Sequence, residues 1–214
     1  MQVLAFLEEF AKNYTRVDFG ENYLAKLADI HLSQTECVYV IDFAQNKMTF
    51  SKGFEAFLGY KDASMSLENY LQKIHPDDID LVGRIGAATI SHTHENPKNN
   101  EGNVLYLTFR IKNSKGEFIK VLSQSSVLET DTEGNMISSL IKVSDLSFIE
   151  DEEMVRYKFD AKNLDQEDFK RKIYGSEQGI FTERELDIIK EIDQKKTNAE
   201  IGQTLDISKH TVAT

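Results

Sequence analysis

Three helix starts follow one another between Phe181 and Thr214, FTERELDIIKEIDQKKTNAEIGQTLDISKHTVAT, and they restrict what this end of the chain can fold into. Thr182 is a good N-cap and Glu185 stands three residues on, a reciprocal box that satisfies two orphan backbone donors. Phe181 before the cap and Leu186 after it can close as a hydrophobic staple. The box recurs at Thr197 with Glu200, and in part at Ser208, where Ile207 and Val212 supply the staple. Leu186, Ile189 and Ile192, then Ile201 and Leu205, keep the three- and four-residue spacing of one helix face. Only a tight turn fits between Leu205 and Ser208, so the second and third helices must cross sharply. That is a helix-turn-helix.

The segment resembles the C-terminal DNA-binding domain of LuxR-type transcriptional regulators, whose pattern is roughly L-T-x-R-E, an apolar helix, N-x-E-I-A, L-x-I-S and T-V. Here it reads Phe181-Thr182-Glu183-Arg184-Glu185, Asn198-Ala199-Glu200-Ile201-Gly202, Leu205-Asp206-Ile207-Ser208 and Thr211-Val212, in register without a gap. Lys195 stands where that family usually has the glycine ending the first helix, so a left-handed residue there is expected to carry strain. Thr214 falls inside the recognition helix of the pattern, which implies a chain truncated before the rest of that helix and a fourth one. The resemblance implies base reading by Lys209, Thr211, Ala213 and Thr214, with Ala213 offering only an apolar contact to a thymine methyl. It makes Lys196 and Asn198, near the second helix start, candidate phosphate contacts, which position without specifying. Solvated surface is the competing reading for each.

Charge pulls the other way. The chain carries a net charge of −11, which argues against coating nucleic acid by bulk electrostatics. Within the terminal segment five cations (Arg184, Lys190, Lys195, Lys196, Lys209) face seven acids (Glu183, Glu185, Asp187, Glu191, Asp193, Glu200, Asp206). The motif is preferred, because much of that family's basic surface belongs to positions after Thr214. The 214 residues suffice for an ordinary domain and a small one, and 40% hydrophobic residues describe a packed globular chain. No apolar run is long enough to span a bilayer. The start, MQVLAFLEEFAKNY, has Glu8 and Glu9 in its apolar part and no basic n-region, so it does not read as a secretory signal. Cys37 is the single cysteine, which excludes an intrachain disulfide and, with the absent signal, implies a cytoplasmic chain without membrane partners.

Before the terminal segment, residues 1–32 hold a helical apolar stripe from Val3 to Tyr14, expected to pack on the next domain or a second subunit. From Cys37 to Phe43 and Met48 to Ser51 the period is that of strands. Short helices follow: Phe54 to Leu58 ending at Gly59, a Ser66-capped piece, and one opened by His75-Pro76-Asp77-Asp78. Leu105, Leu107, Phe109 and Ile111 alternate with polar neighbours, and strands 118–128 and 136–145 close the series after glycine turns. The class is α+β, an antiparallel five-stranded sheet with flanking helices, followed by the small all-α unit. The strand and helix order, His75-Pro76-Asp77-Asp78, Lys115-Gly116-Glu117 and Asp145-Leu146-Ser147 resemble a PAS sensor domain over 33–148. Residues 149–180 read as a linker with one helix shared by Phe169 and Ile173, and 181–214 as the incomplete LuxR-type unit.

No catalytic constellation emerges: no glycine-rich phosphate loop, no Ser-His-Asp arrangement and no glycine-flanked serine nucleophile, so no enzyme is expected. His75 with Asp77 and Asp78 reads as a helix start with carboxylates at its positive end rather than as metal ligands. His92 and His94 stand where haem-binding PAS relatives keep a ligand, yet a histidine at a helix C-terminus more simply serves its dipole. Cys37 lies on a strand, unlike the reactive cysteine of flavin-binding relatives, and reads as a small buried hydrophobe. No cofactor is predicted. A small ligand between sheet and helices is one reading, with Val38, Val40, Phe50, Phe57, Leu71, Ile85, Leu107, Phe109 and Val121 as candidate lining. The resemblances imply a homodimeric regulator of double-stranded DNA, with the signal passing through Asp145 and Ser147 into the linker. The alternative is an adaptor whose PAS domain only docks partners and which binds no DNA.

Overall fold

Leu105, Leu107, Phe109 and Ile111 are buried while the residues between them are not, and this period of two lays down the centre of an antiparallel sheet. The structure is a computed structural model and describes residues 27–149, 155–175, 183–205 and 207–208. The expected apolar stripe from Val3 to Tyr14 and the cap at Thr182 lie outside those residues. Two compact units divide the chain, Met1–Phe169 and Lys170–Thr214.

The first unit runs β1 (Glu36–Asp42), β2 (Lys47–Lys52), α1 (Phe54–Leu58), α2 (Leu67–Leu71), α3 (Pro76–Glu95), β3 (Val104–Lys112), β4 (Phe118–Thr130), β5 (Met136–Asp145) and β6 (Arg156–Asp160). The sheet order is β2-β1-β5-β4-β3-β6, and every neighbouring pair is antiparallel. The expected α+β class and strand–helix order therefore stand, with one addition. The stretch read as a linker supplies a sixth strand, Arg156 to Asp160, paired to the edge of β3. Its five residues alternate polar and apolar, which buries Phe159 at 6% exposure and leaves Arg156 and Lys158 outside. The helix expected beyond it is α4 (Gln166–Tyr174), with Phe169 and Ile173 both buried.

Local chemistry explains the joints. Gly59 ends α1 at φ +76°, and Ser66 caps α2 by accepting the Asn69 N–H at 3.1 Å. Between β4 and β5, Asp131 Oδ1 accepts the N–H groups of Glu133 (2.9 Å) and Asn135 (2.8 Å), and Gly134 takes φ +92°. Lys52 Nζ donates to the carbonyls of Ala28 and Ile30, tying the chain before β1 to the β2 edge.

His75-Pro76-Asp77-Asp78 does more than start a helix. His75 Nδ1 accepts the Asp77 N–H at 3.2 Å, and Pro76 occupies the first turn of α3, where its missing donor costs nothing. β6 pairs with β3 only as far as Thr108, which opens the β3 edge at Arg110. Asp78 closes that gap: Oδ2 accepts the Arg110 backbone N–H (2.8 Å) and Nε (3.0 Å), while Oδ1 accepts Nη2 (2.6 Å). The His75 N–H donates to the Arg110 carbonyl at 2.9 Å, and Ile74 bridges Ile111. The motif fastens the start of α3 to the sheet.

Burial works against the charged form of Asp78, but the Arg110 side-chain and backbone hydrogen bonds outweigh it and hold its pKa below the usual aspartate value. A depressed carboxylate contributes stability that is complete above its unfolded value, near ~3.9, and is lost as pH falls through the folded value. Asp78→Ala leaves a mostly buried guanidinium without its partner, and is expected to cost about 3 kcal/mol in urea unfolding at pH 7. The loss should begin to shrink below about pH 4, where the unfolded-state aspartate takes up its proton, and vanish only once the pH has fallen through the lower value of Asp78 in the folded protein.

Candidate functional site

α3 lies across one face of the sheet and leaves a cavity of about 150 Å³ beneath it. Val82, Gly83, Gly86, Ala87 and Ile90 of α3 form one wall, and Tyr39, Leu105, Leu107, Phe109 and Ile141 of the strands form the other. Of the lining expected from the sequence, Leu71, Leu107 and Phe109 are there. Val38 and Val40 are not. They alternate with Tyr39 along β1 and are buried at 2% and 0% exposure on the opposite face. A strand buried on both sides has no polar face to declare which parity points inward. Phe50 pairs with Val40 and shares its face, while Ile85 and Val121 are buried without lining the cavity.

Sequence reading missed Tyr70 and Gly86. Tyr70 is 3% exposed, lines the cavity, and its Oη has no hydrogen-bond partner. The Tyr39 ring lies 4.9 Å away, and burial pushes both phenols well above their ordinary pKa. A Cβ placed on Gly86 would meet nothing within 4 Å. The only sequence signal was a pair of glycines, Gly83 and Gly86, inside a long helix, where each costs about 1 kcal/mol relative to alanine. Cys37 is fully buried on β1, and burial, then the nearby Asp62, pushes its thiol far up, as suits a small hydrophobe. His92 packs edge-on against Phe159 at 5.4 Å and does not line the cavity, while His94 is exposed. Among the described residues no three His, Cys, Asp or Glu are grouped to hold a metal.

Asp145 ends β5, and its Oδ1 accepts the Ser147 N–H at 2.6 Å. Its own N–H donates to Thr35 at 3.0 Å, and the next, Leu146, donates to Lys120 at 2.9 Å. The pair expected to couple signal to linker is thus a turn that steers the chain off the sheet, delivering Phe148 to solvent at 80% exposure.

In the second unit α5 (Glu183–Asp193) and α6 (Asn198–Leu205) follow one another closely. Lys195 adopts the expected left-handed conformation, φ +60°. Its N–H donates to Ile192 at 2.8 Å and the Lys196 N–H donates to Glu191 at 3.4 Å, the paired bonds of a Schellman ending. The box at Thr197 forms as read: the Thr197 N–H donates to Glu200 Oε2 at 2.8 Å, and the Glu200 N–H to Thr197 Oγ1 at 3.4 Å. Ile201 is fully buried, but Ile189 and Ile192 are 40% and 52% exposed, so the stripe expected along α5 is not covered there. Lys196 Nζ pairs with Glu191, and Asn198 is exposed at the first turn of α6. Lys209, Thr211, Ala213 and Thr214 lie outside the described residues.

Residues 179–214 match the family described as bacterial regulatory proteins, luxR family. The C-terminal segment is a LuxR-type helix-turn-helix, as the resemblance of its motifs implies. No curated protein matches the chain. Among solved structures, the chain is similar to the N-terminal domain of a diguanylate cyclase with PAS/PAC sensor from Marinobacter aquaeolei, at 16% identity and a TM-score of 0.42, over 53% of this chain and 96% of that one. It is similar to the PAS domain of a protein from Colwellia psychrerythraea, at 19% identity and a TM-score of 0.40, over 53% of this chain and 88% of that one. An RNA-binding light-oxygen-voltage receptor is similar at 13% identity and a TM-score of 0.39, over 83% of this chain and 42% of that one.

Left-handed backbone costs a side-chain-bearing residue roughly 1–2 kcal/mol. Lys195→Gly is expected to stabilise the α5–α6 hairpin by about 1 kcal/mol, read as roughly fivefold slower hydrogen exchange of its amides. Unchanged or faster exchange would mean the lysine carries no strain.

Proposed function

We propose that the chain is a DNA-binding transcriptional regulator in which the sheet-and-helix unit senses a signal and controls the LuxR-type helix-turn-helix. The luxR match over residues 179–214 carries this reading, supported by the two capped helices and the cavity beneath α3. The sensor module is 33–148 extended by β6, and the DNA-binding module is 181–214. Lys196 and Asn198 contact phosphates, and Lys209, Thr211, Ala213 and Thr214 face the bases. The protein acts in the cytoplasm as a homodimer, since paired half-sites call for two recognition helices one helical turn apart. No catalytic step is assigned to it.

The Asp145–Ser147 turn is the coupling element. It is the point at which β5 hands the chain to the segment leading towards the second unit, so a change in sheet geometry reaches that segment first.

A genomic pull-down with the full-length protein, followed by gel shifts on the recovered sequences, tests DNA binding. Selective retention of a repeated half-site is expected, and failure to retain any duplex would favour the adaptor reading. Lys196→Ala is expected to weaken binding to all sequences alike and only slightly, lowering the slope of log affinity against log salt by less than one, because Glu191 already pairs with the lysine. Asp145→Ala should leave the circular dichroism spectrum intact and alter the signal dependence of DNA binding. An unaltered dependence removes the turn from the route.

A further inference from the structure

The cavity beneath α3 has a particular chemistry. Among the described residues that line it, none carries a charge, so an ionised guest would lose its hydration without gaining a counter-charge. Serine, threonine and asparagine side chains also line it, but among the described residues Tyr70 Oη is the one fully buried lining side-chain atom without a hydrogen-bond partner. Leaving a buried hydroxyl unsatisfied is costly, so Tyr70 Oη is suited to pair with one complementary polar atom of a guest. The Tyr39 phenol is its polar neighbour and helps to raise its pKa, but the two hydroxyls do not meet in the distance and angle of a full hydrogen bond, so Tyr70 Oη keeps bonding capacity to offer.

Volume sets the size of the guest. A cavity of about 150 Å³ matches the engineered apolar cavity, also about 150 Å³, known to take a single benzene. Gly86 lines that space, and a Cβ there would meet no atom within 4 Å, so the helix can accept a side chain at this position. A large side chain such as leucine at this lining position is expected to take up cavity space.

We infer that the unit binds a neutral, single-ring molecule of roughly six to eight non-hydrogen atoms whose one hydroxyl or carbonyl pairs with Tyr70 Oη. This names the signal class for the sensing step proposed above and rests on that reading for its role, though not for the binding itself. Tyr70 gives or takes the hydrogen bond, and the faces of the ring lie between α3 and the sheet.

Titration calorimetry of the full-length protein with phenol, benzene and benzoate tests the inference. Phenol is expected to bind roughly tenfold more tightly than benzene, the worth of one hydrogen bond, and benzoate not at all. Tyr70→Phe should reduce phenol to the level of benzene while leaving benzene unchanged. Gly86→Leu should keep the circular dichroism spectrum and abolish binding of both. Benzoate binding as tightly as phenol, no phenol binding by the wild type, or phenol binding that survives Gly86→Leu in a folded protein would each overturn the assignment. A gel shift run in parallel separates the two readings: phenol binding without DNA binding spares the cavity and sinks the regulator, and the converse does the opposite.

Discussion

The structure depends on the fastening between Asp78 and Arg110. α3 is the only long helix on its face of the sheet among the described residues, and its position defines the interior. Three hydrogen bonds accepted by one carboxylate, one of them donated by a strand N–H, set where that helix begins along β3. A buried ion pair seldom adds much net stability over an apolar substitute, because both charges must be stripped of water. Its value here lies in register. The bonded N–H belongs to one residue of one strand, so α3 cannot slide along the sheet without breaking the set. With its start fixed, the helix carries Gly83, Gly86 and Ile90 over Leu107 and Phe109, and the cavity follows.

This division of labour clarifies what the sequence made legible. Periodicity announced β3 because one of its faces is wet, and capping residues announced α2 and α6 because they act within three positions of themselves. Long-range chemistry left no such trace. Nothing around Asp78 reveals that its partner is Arg110, thirty-two positions away, and local logic assigned it only to the helix dipole. β1 hid its inward parity because both its faces are covered. β6 alternated as a strand should, but its five residues follow a run of acids and precede a helix, so the stretch read as a connector. Among the site residues, Lys195 could be placed because its strain is local. Tyr70 could not, because an absent partner is a property of the packed interior alone.

The cavity raises a question of balance. Two glycines in α3 and an unsatisfied phenol each reduce stability by around 1 kcal/mol, a sizeable share of a fold's margin of roughly 5–15 kcal/mol. Such costs concentrate where function requires them, and a solidly packed α3 with alanine or leucine at position 86 would be the more stable choice. The rest of the unit compensates with a continuous apolar core along β1, β3 and β5, where Val40, Ile111 and Val143 are fully buried.

The helix-turn-helix poses the converse problem, since its described surface is not set up for bulk attraction to phosphate. Lys196 is held by Glu191, Lys190 by Asp187, and the Glu200 carboxylate occupies the donor side of the Thr197 cap, its pKa lowered by those bonds. Phosphate engaging Lys196 must therefore compete with Glu191 in a half-buried ion pair, and the exchange of one ion pair for another yields little net free energy. On this reading Lys196 and Asn198 set the orientation of the unit on the duplex and contribute little to the affinity. Under the function proposed above, the binding free energy would come from the recognition helix, and from two such helices acting together on paired half-sites. In the proposed homodimer a weak individual contact would make the whole sensitive to the spacing between the two copies, which a sensor acting through the Asp145 turn would shift without touching a single base contact.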